Sequence, residues 1–295
     1  LLSFKSFLNE EKLRQGLDHF NNLSYEKIGK LLSSDTLQGT ITPKTDGAAG
    51  AVGWDENGFF TQSGRSDKVR NAGDYSAYTR KKRGEDADLT ISSSYDAMHH
   101  HLQNNKKLTQ YLRSRHESGQ PSTLKGEFFL RHLAKPTEKG LTFVATSYNP
   151  NSMGSTGMFI LHHKLPENST HNPDDIHHLS DKHVTFDHDK SENNKFSVDT
   201  QHEKNLYSSI NPSILKSRKL SDSAKKEDET EKLATIKSFL ETKLKHHTSN
   251  LSPRPWEVKD ESEGHVFHLD NGERFKIQSD SFKNFKDQEK LRKNK

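Results

Sequence analysis

Two hydrophobic periodicities alternate along the chain. Between Glu10 and Ser33, Leu13, Leu17 and Phe20 recur at helical spacing and predict an amphipathic helix or a pair of helices. From Ile41 the pattern changes to short apolar runs, and "WDENGFF" sets Asn57-Gly58 between two of them, which predicts a hairpin with a type I′ turn. Residues 66–93 are charged and read as loop, after which Met98, Leu102, Leu108 and Leu112 mark a helical core face. Three strands are predicted next, "LKGEFFL" (124–130), "LTFVATSY" (141–148) and "MFILHHKL" (158–165). Residues 166–228 are dominated by His, Asp, Asn, Ser and Lys and read as a polar insertion with at most a short strand at "HVTFDH". Leu233, Ile236, Phe239, Leu240 and Leu244 then form one helical stripe, and a second hairpin centres on Asn271-Gly272, with Phe267 and Leu269 across from Phe275 and Ile277.

Composition narrows the chemistry. Only 28% of the 295 residues are hydrophobic, so parts of the chain must be solvated segments that add little to a core. Cysteine is absent, which excludes disulfides, thiolate nucleophiles and cysteine-based metal centres. No apolar run is long enough for a membrane-spanning helix, and no membrane partner is expected. The formal charge of +4 is compatible with phosphate-bearing ligands. Histidine is abundant, but His99 to His101, His162-His163 and His177-His178 are adjacent residues, whose side chains diverge on a strand or helix. They are expected on a solvated surface rather than around a metal. Gly47, Gly50 and Gly53 match no phosphate-binding loop and suggest a strand kept thin for close packing.

Four short polar signatures fall on or beside predicted strands: "KTDG" at 44–47, "GEFF" at 126–129, "EGHV" at 263–266 and "FKIQS" at 275–279. In this order they resemble the covalent nucleotidyltransferases, the superfamily of ATP-dependent DNA and RNA ligases and mRNA capping enzymes, and the "KIQSDSF" ending is most similar to phage RNA ligases. The resemblance spans Lys44 to Phe282. It implies an α+β fold, a nucleotidyltransferase (adenylation) domain of two antiparallel sheets flanked by helices with the nucleotide between them. Residues 1–40 would form an N-terminal helical segment and 41–295 the nucleotidyltransferase domain with the insertion at about 166–228. Too few residues follow Ser279 for the OB-fold that DNA ligases and capping enzymes carry, so none is expected.

The resemblance also assigns roles. Lys44 would attack the α-phosphate of ATP to form a lysyl-AMP, with Asp46 beside it in the motif; Lys276 would stabilise the phosphates, and Glu263 would hold Mg2+ or Mn2+. Glu127 would accept from a ribose hydroxyl, Arg65 would reach ribose or phosphate, and Phe159 would stack on the purine, with Phe143 as second choice. Where ligases read KxK this chain reads Lys276-Ile277-Gln278, unless Arg274 and Lys276 form the basic pair. The implied activity is that of an ATP-dependent polynucleotide ligase acting on RNA or DNA ends as a monomer, RNA in preference. The alternative is a catalytically silent relative serving as a phage nucleic-acid-binding or capsid-internal protein. The opening "LLSFKSFLNE" resembles the capsid-targeting leaders of tailed phages, cleaved after a Leu-x-Glu. It implies a leader at 1–10 with cleavage after Glu10, a phage capsid or helper protein as partner, and a location in the cytoplasm of an infected bacterium or inside the virion.

Overall fold

The computed structural model describes residues 17–45, 47–64, 66–136, 141–143, 146–190, 194–217, 223–249, 251, 254–257 and 263–284. Their strands, in chain order, are β1 (Thr36–Pro43), β2 (Ala48–Asp55), β3 (Gly58–Ser63), β4 (Thr123–Leu130), β5 (Lys135–Pro136), β6 (Leu141–Phe143), β7 (Thr146–Tyr148), β8 (Gly157–Leu161), β9 (Val184–His188), β10 (Lys195–Asp199), β11 (Gly264–Leu269) and β12 (Arg274–Gln278). The fold is mixed α+β, and the chain divides into two units. One comprises residues up to Pro43, 191–252 and 264–278. The other comprises Lys44–Lys190, 253–263 and the residues from Ser279 on.

The first unit is built on an antiparallel sheet in the order β10-β1-β11-β12. Alternation along each strand turns Leu37, Ile41, Phe196, Val198, Phe267, Phe275 and Ile277 to one face, where they meet Ile236, Leu240 and Leu244 of a helix at Ser223–Thr248. These three helix residues are fully buried, each contributing about 1.5–3 kcal/mol. Their i, i+4 spacing leaves Phe239 off the line and 42% exposed, outside the stripe expected for it. The β11/β12 turn is a three-residue loop, Asp270-Asn271-Gly272, in which Gly272 at φ +85° supplies the left-handed conformation; Phe267 pairs with Phe275, and Ile277 with His265. Of the segment before Lys44, residues 1–16 lie outside the described residues. The rest forms a short helix, Tyr25–Leu31, capped by the Ser24 hydroxyl, and then β1.

The second unit holds a five-stranded sheet in the order β3-β2-β4-β8-β9. It is antiparallel except for β8 and β9, which run parallel, so the expectation of purely antiparallel sheets fails at this edge. Helices Thr90–Asn104 and Lys106–Glu117 bury Met98, Leu102, Leu108 and Leu112 against Val52, Leu124, Phe128 and Phe159. The Asn105 side chain accepts from the Leu108 amide and divides what the apolar stripe alone presents as one helix. On the opposite face Phe129, Met158 and Ile160 pack with Tyr148 and Trp256. Close approach explains Gly50 and Gly53, where a Cβ would run into the Phe128 and Phe60 rings.

Several expected boundaries move. Residues 74–83, expected as loop, are a helix whose first turn is capped from elsewhere in the chain: the Asp96 carboxylate accepts from the amides of Gly73, Tyr75 and Ser76. No local signal announces such a cap. In the β2/β3 hairpin the turn residues are Glu56-Asn57, because Asp55 pairs with Gly58, and Gly58 opens β3 at φ +95°. The expected strand at 141–148 appears as β6 and β7, and the one at 158–165 stops at Leu161. Residues 166–228 carry more than the one short strand expected: β10 takes an edge of the four-stranded sheet and β9 an edge of the five-stranded sheet. Only two apolar residues anchor each strand, Val184 and Phe186 in one and Phe196 and Val198 in the other, and the polar composition around them hides the alternation.

Candidate functional site

β1 and β11 pair antiparallel, and their ladder ends at Pro43 opposite His265. The residues just beyond that end are therefore neighbours although they lie far apart in sequence. The Lys44 Nζ donates to Glu263 Oε2 at 2.6 Å and to the Thr45 carbonyl at 2.7 Å. Both side chains are largely buried, 18% and 7% exposed, so the pair is shielded from water and salt. Glu127 projects from the middle of β4, and its Oε2 accepts from the Gly47 amide at 2.7 Å, which ties Gly47 to the sheet.

Glu127 has a second partner that the sequence motifs did not indicate. Its Oε1 lies 3.5 Å from His162 Nε2, and His162 Nδ1 meets Asp189 Oδ2 at 2.9 Å. His163 closes the network from the other side, its Nδ1 2.6 Å from Asp189 Oδ1 and its amide donating to the same oxygen. Burial opposes charging His162, but the carboxylates of Asp189 and Glu127 win and push the imidazole up to about 10. Burial likewise raises Asp189, but the His162 and His163 contacts outweigh it and hold the carboxyl well below its usual range. Glu127 is also lowered, by His162 and Lys44 against the effect of burial.

The convergence of His162, His163 and Asp189 overturns their assignment to a solvated surface. The argument from divergence holds only inside a regular strand, and β8 ends at Leu161. Parallel pairing sets Leu161 beside His188, and the Asp189 amide donates to the Leu161 carbonyl, so the residues beyond both strand ends meet. His99 is buried as well, with its Nδ1 2.8 Å from the Thr61 hydroxyl. No local signal in the sequence pairs His162 and His163 with Asp189.

The remaining expected site residues fall elsewhere. Phe159 is fully buried on the helix-covered face of β8, between Phe128 and Phe186, while Glu127 points to the other face. It presents no ring for a base to stack on, because alternation commits odd-numbered positions of this strand to the core. The side chain of Phe143 lies outside the described residues, as do Asp46 and Arg65. Arg274 and Lys276 belong to the first unit, on β12. They share with Gln278 the face opposite the buried Phe275 and Ile277, so Arg274 and Lys276 reproduce the i, i+2 spacing of a KxK strand.

No protein-family model matches the chain, and no characterised protein is significantly similar to it in sequence. Among the described residues no helix is long and apolar enough to cross a membrane.

Proposed function

We propose that the chain is a ligase-type nucleotidyltransferase that uses ATP to charge Lys44 and passes the adenylyl group to a polynucleotide end, RNA in preference. The observation that carries this reading is the meeting of Lys44 with Glu263 at 2.6 Å beside the Glu127-anchored Gly47 turn, three signatures of one reaction drawn from distant parts of the sequence. In the first step the Lys44 amine would attack the α-phosphorus of ATP, forming an N–P bond as the P–O bond to pyrophosphate breaks. Attack needs the neutral amine, so Lys44 must give up a proton and its contact with Glu263. Pairing with the carboxylate is thus a resting arrangement.

The donor set suits the implied metal: the buried Glu263 carboxylate is a hard oxygen ligand of the kind Mg2+ and Mn2+ prefer. Such an ion supplies positive charge to the phosphates. Glu127, held by the Gly47 amide and His162, orients the turn that carries Lys44. The virion or infected host remains the proposed location.

Incubation with α-labelled ATP and magnesium tests the reading. Label should stay on the protein through denaturation, be lost in acid and survive alkali, and a Lys44→Met variant should take up none. Equal labelling of that variant would sink the assignment. Absence of labelling with either ATP or GTP would favour a non-catalytic relative that binds nucleic acid.

A further inference from the structure

A second polar cluster lies at the outer edge of the five-stranded sheet. β9 pairs with β8 on one side only, and the 3-10 helix Pro173–Leu179 packs against it. His177 from that helix and Asp187 and His188 from the end of β9 present one ligand atom each within 4.8 Å of one another. His177 Nε2 lies 3.6 Å from Asp187 Oδ1, and the two imidazole rings are 5.1 Å apart.

We propose that His177, Asp187 and His188 bind a divalent transition-metal cation of the zinc class, with water in the fourth position, and that this ion fastens the end of β9 to the 3-10 helix. Two features beyond proximity point to a ligand. The His188 side chain is buried, yet its Nδ1 has no hydrogen-bond partner among the described residues, a costly condition that a cation bound at that nitrogen relieves. Asp187 is already held in place: its Oδ1 accepts from Arg254 Nη2 at 2.7 Å and from the His188 amide, and hydrogen bonds of this kind orient metal-binding carboxylates.

Two imidazoles and a carboxylate favour zinc-like ions over Mg2+ or Ca2+, which take oxygen ligands. Ligand atoms on a tetrahedral ion bound at about 2.0–2.1 Å are closer together than 4.8 Å, so the exposed His177 ring must swing inward on binding. The ion would also steady Asp189, the next residue, and through it the His162–Glu127 contact.

The test uses the full chain after exhaustive chelation, titrated with zinc chloride and, in parallel, with cobalt chloride. His177 is the residue to alter, because it is exposed and its loss leaves the core intact. The parent should bind one more equivalent of zinc than His177→Ala, or bind it at least about tenfold tighter. It should also show cobalt absorption bands of tetrahedral type that the variant lacks, and only its unfolding temperature should rise with zinc. Equal zinc stoichiometry and affinity in the two proteins, or no zinc bound by the parent at 100-micromolar concentrations (roughly the weak end of metal-site affinities), overturns the proposal.

Discussion

Asp189→Asn should be among the most damaging isosteric changes in this protein. The parent carboxylate is buried and receives three hydrogen bonds, from His162 Nδ1 at 2.9 Å, His163 Nδ1 at 2.6 Å and the His163 amide at 2.9 Å. Each bond to a charged group is worth about 1.5–3 kcal/mol, but the three share one acceptor and do not add. The amide keeps the shape and one accepting oxygen while removing the charge that balances His162, so the expected loss is about 3–5 kcal/mol, that of breaking a buried ion pair. At roughly 2–4 °C per kcal/mol this lowers the unfolding midpoint by roughly 6–20 °C. The pH dependence gives a second readout. His162 is raised from 6.5 to about 10 in the folded protein, so its contribution is complete below pH 6.5 and is lost as pH rises through about 10. Asp189 is lowered from 3.8, so its contribution is complete above that value and is lost as pH falls below it. The gap in stability between parent and variant should therefore be widest between those two values and narrow on either side. Thermal unfolding across pH, with proton NMR of the His162 ring, measures both. A variant melting within about 2 °C of the parent, or a parent His162 that titrates near 6.5, would refute the network as drawn.

Three further outcomes follow from the geometry. Glu263→Ala should abolish metal-dependent labelling of Lys44 while leaving much of the ATP affinity, measured by calorimetry, because its carboxylate acts on charge that develops during the reaction. Phe159→Ala should cost about 3–5 kcal/mol of stability in urea unfolding, since the ring is a fully buried part of the core; a stable variant with selectively weakened ATP binding would instead restore it as a stacking platform. Deleting residues 168–223 should abolish cooperative unfolding rather than trim a loop, because it removes β9 and β10, and a soluble, cooperatively folding deletion protein would contradict that placement.

Local pattern was enough wherever the chain's own periodicity or turn chemistry decided the outcome. The core faces at Met98–Leu112 and Ile236–Leu244, the presence of the two hairpins though not their turn residues, and the strand around Glu127 are legible, because a buried face must repeat with the period of its element and few residues tolerate a left-handed turn. The order of Lys44, Glu127 and Glu263 along the sequence was legible too, and so was the expectation that they act together. The contact of Lys44 with Glu263 was decided only by tertiary structure, through the antiparallel register that ends β1 opposite β11. The same is true of the helix at 74–83, capped by Asp96 from another helix, and of β9 and β10, too polar to announce themselves. It is most true of His162, His163 and Asp189, whose convergence depends on a parallel strand pair. Periodicity reports which way a side chain faces within its own element. What stands opposite it is set by strand order and register, and those are settled by long-range packing that no short stretch of sequence records.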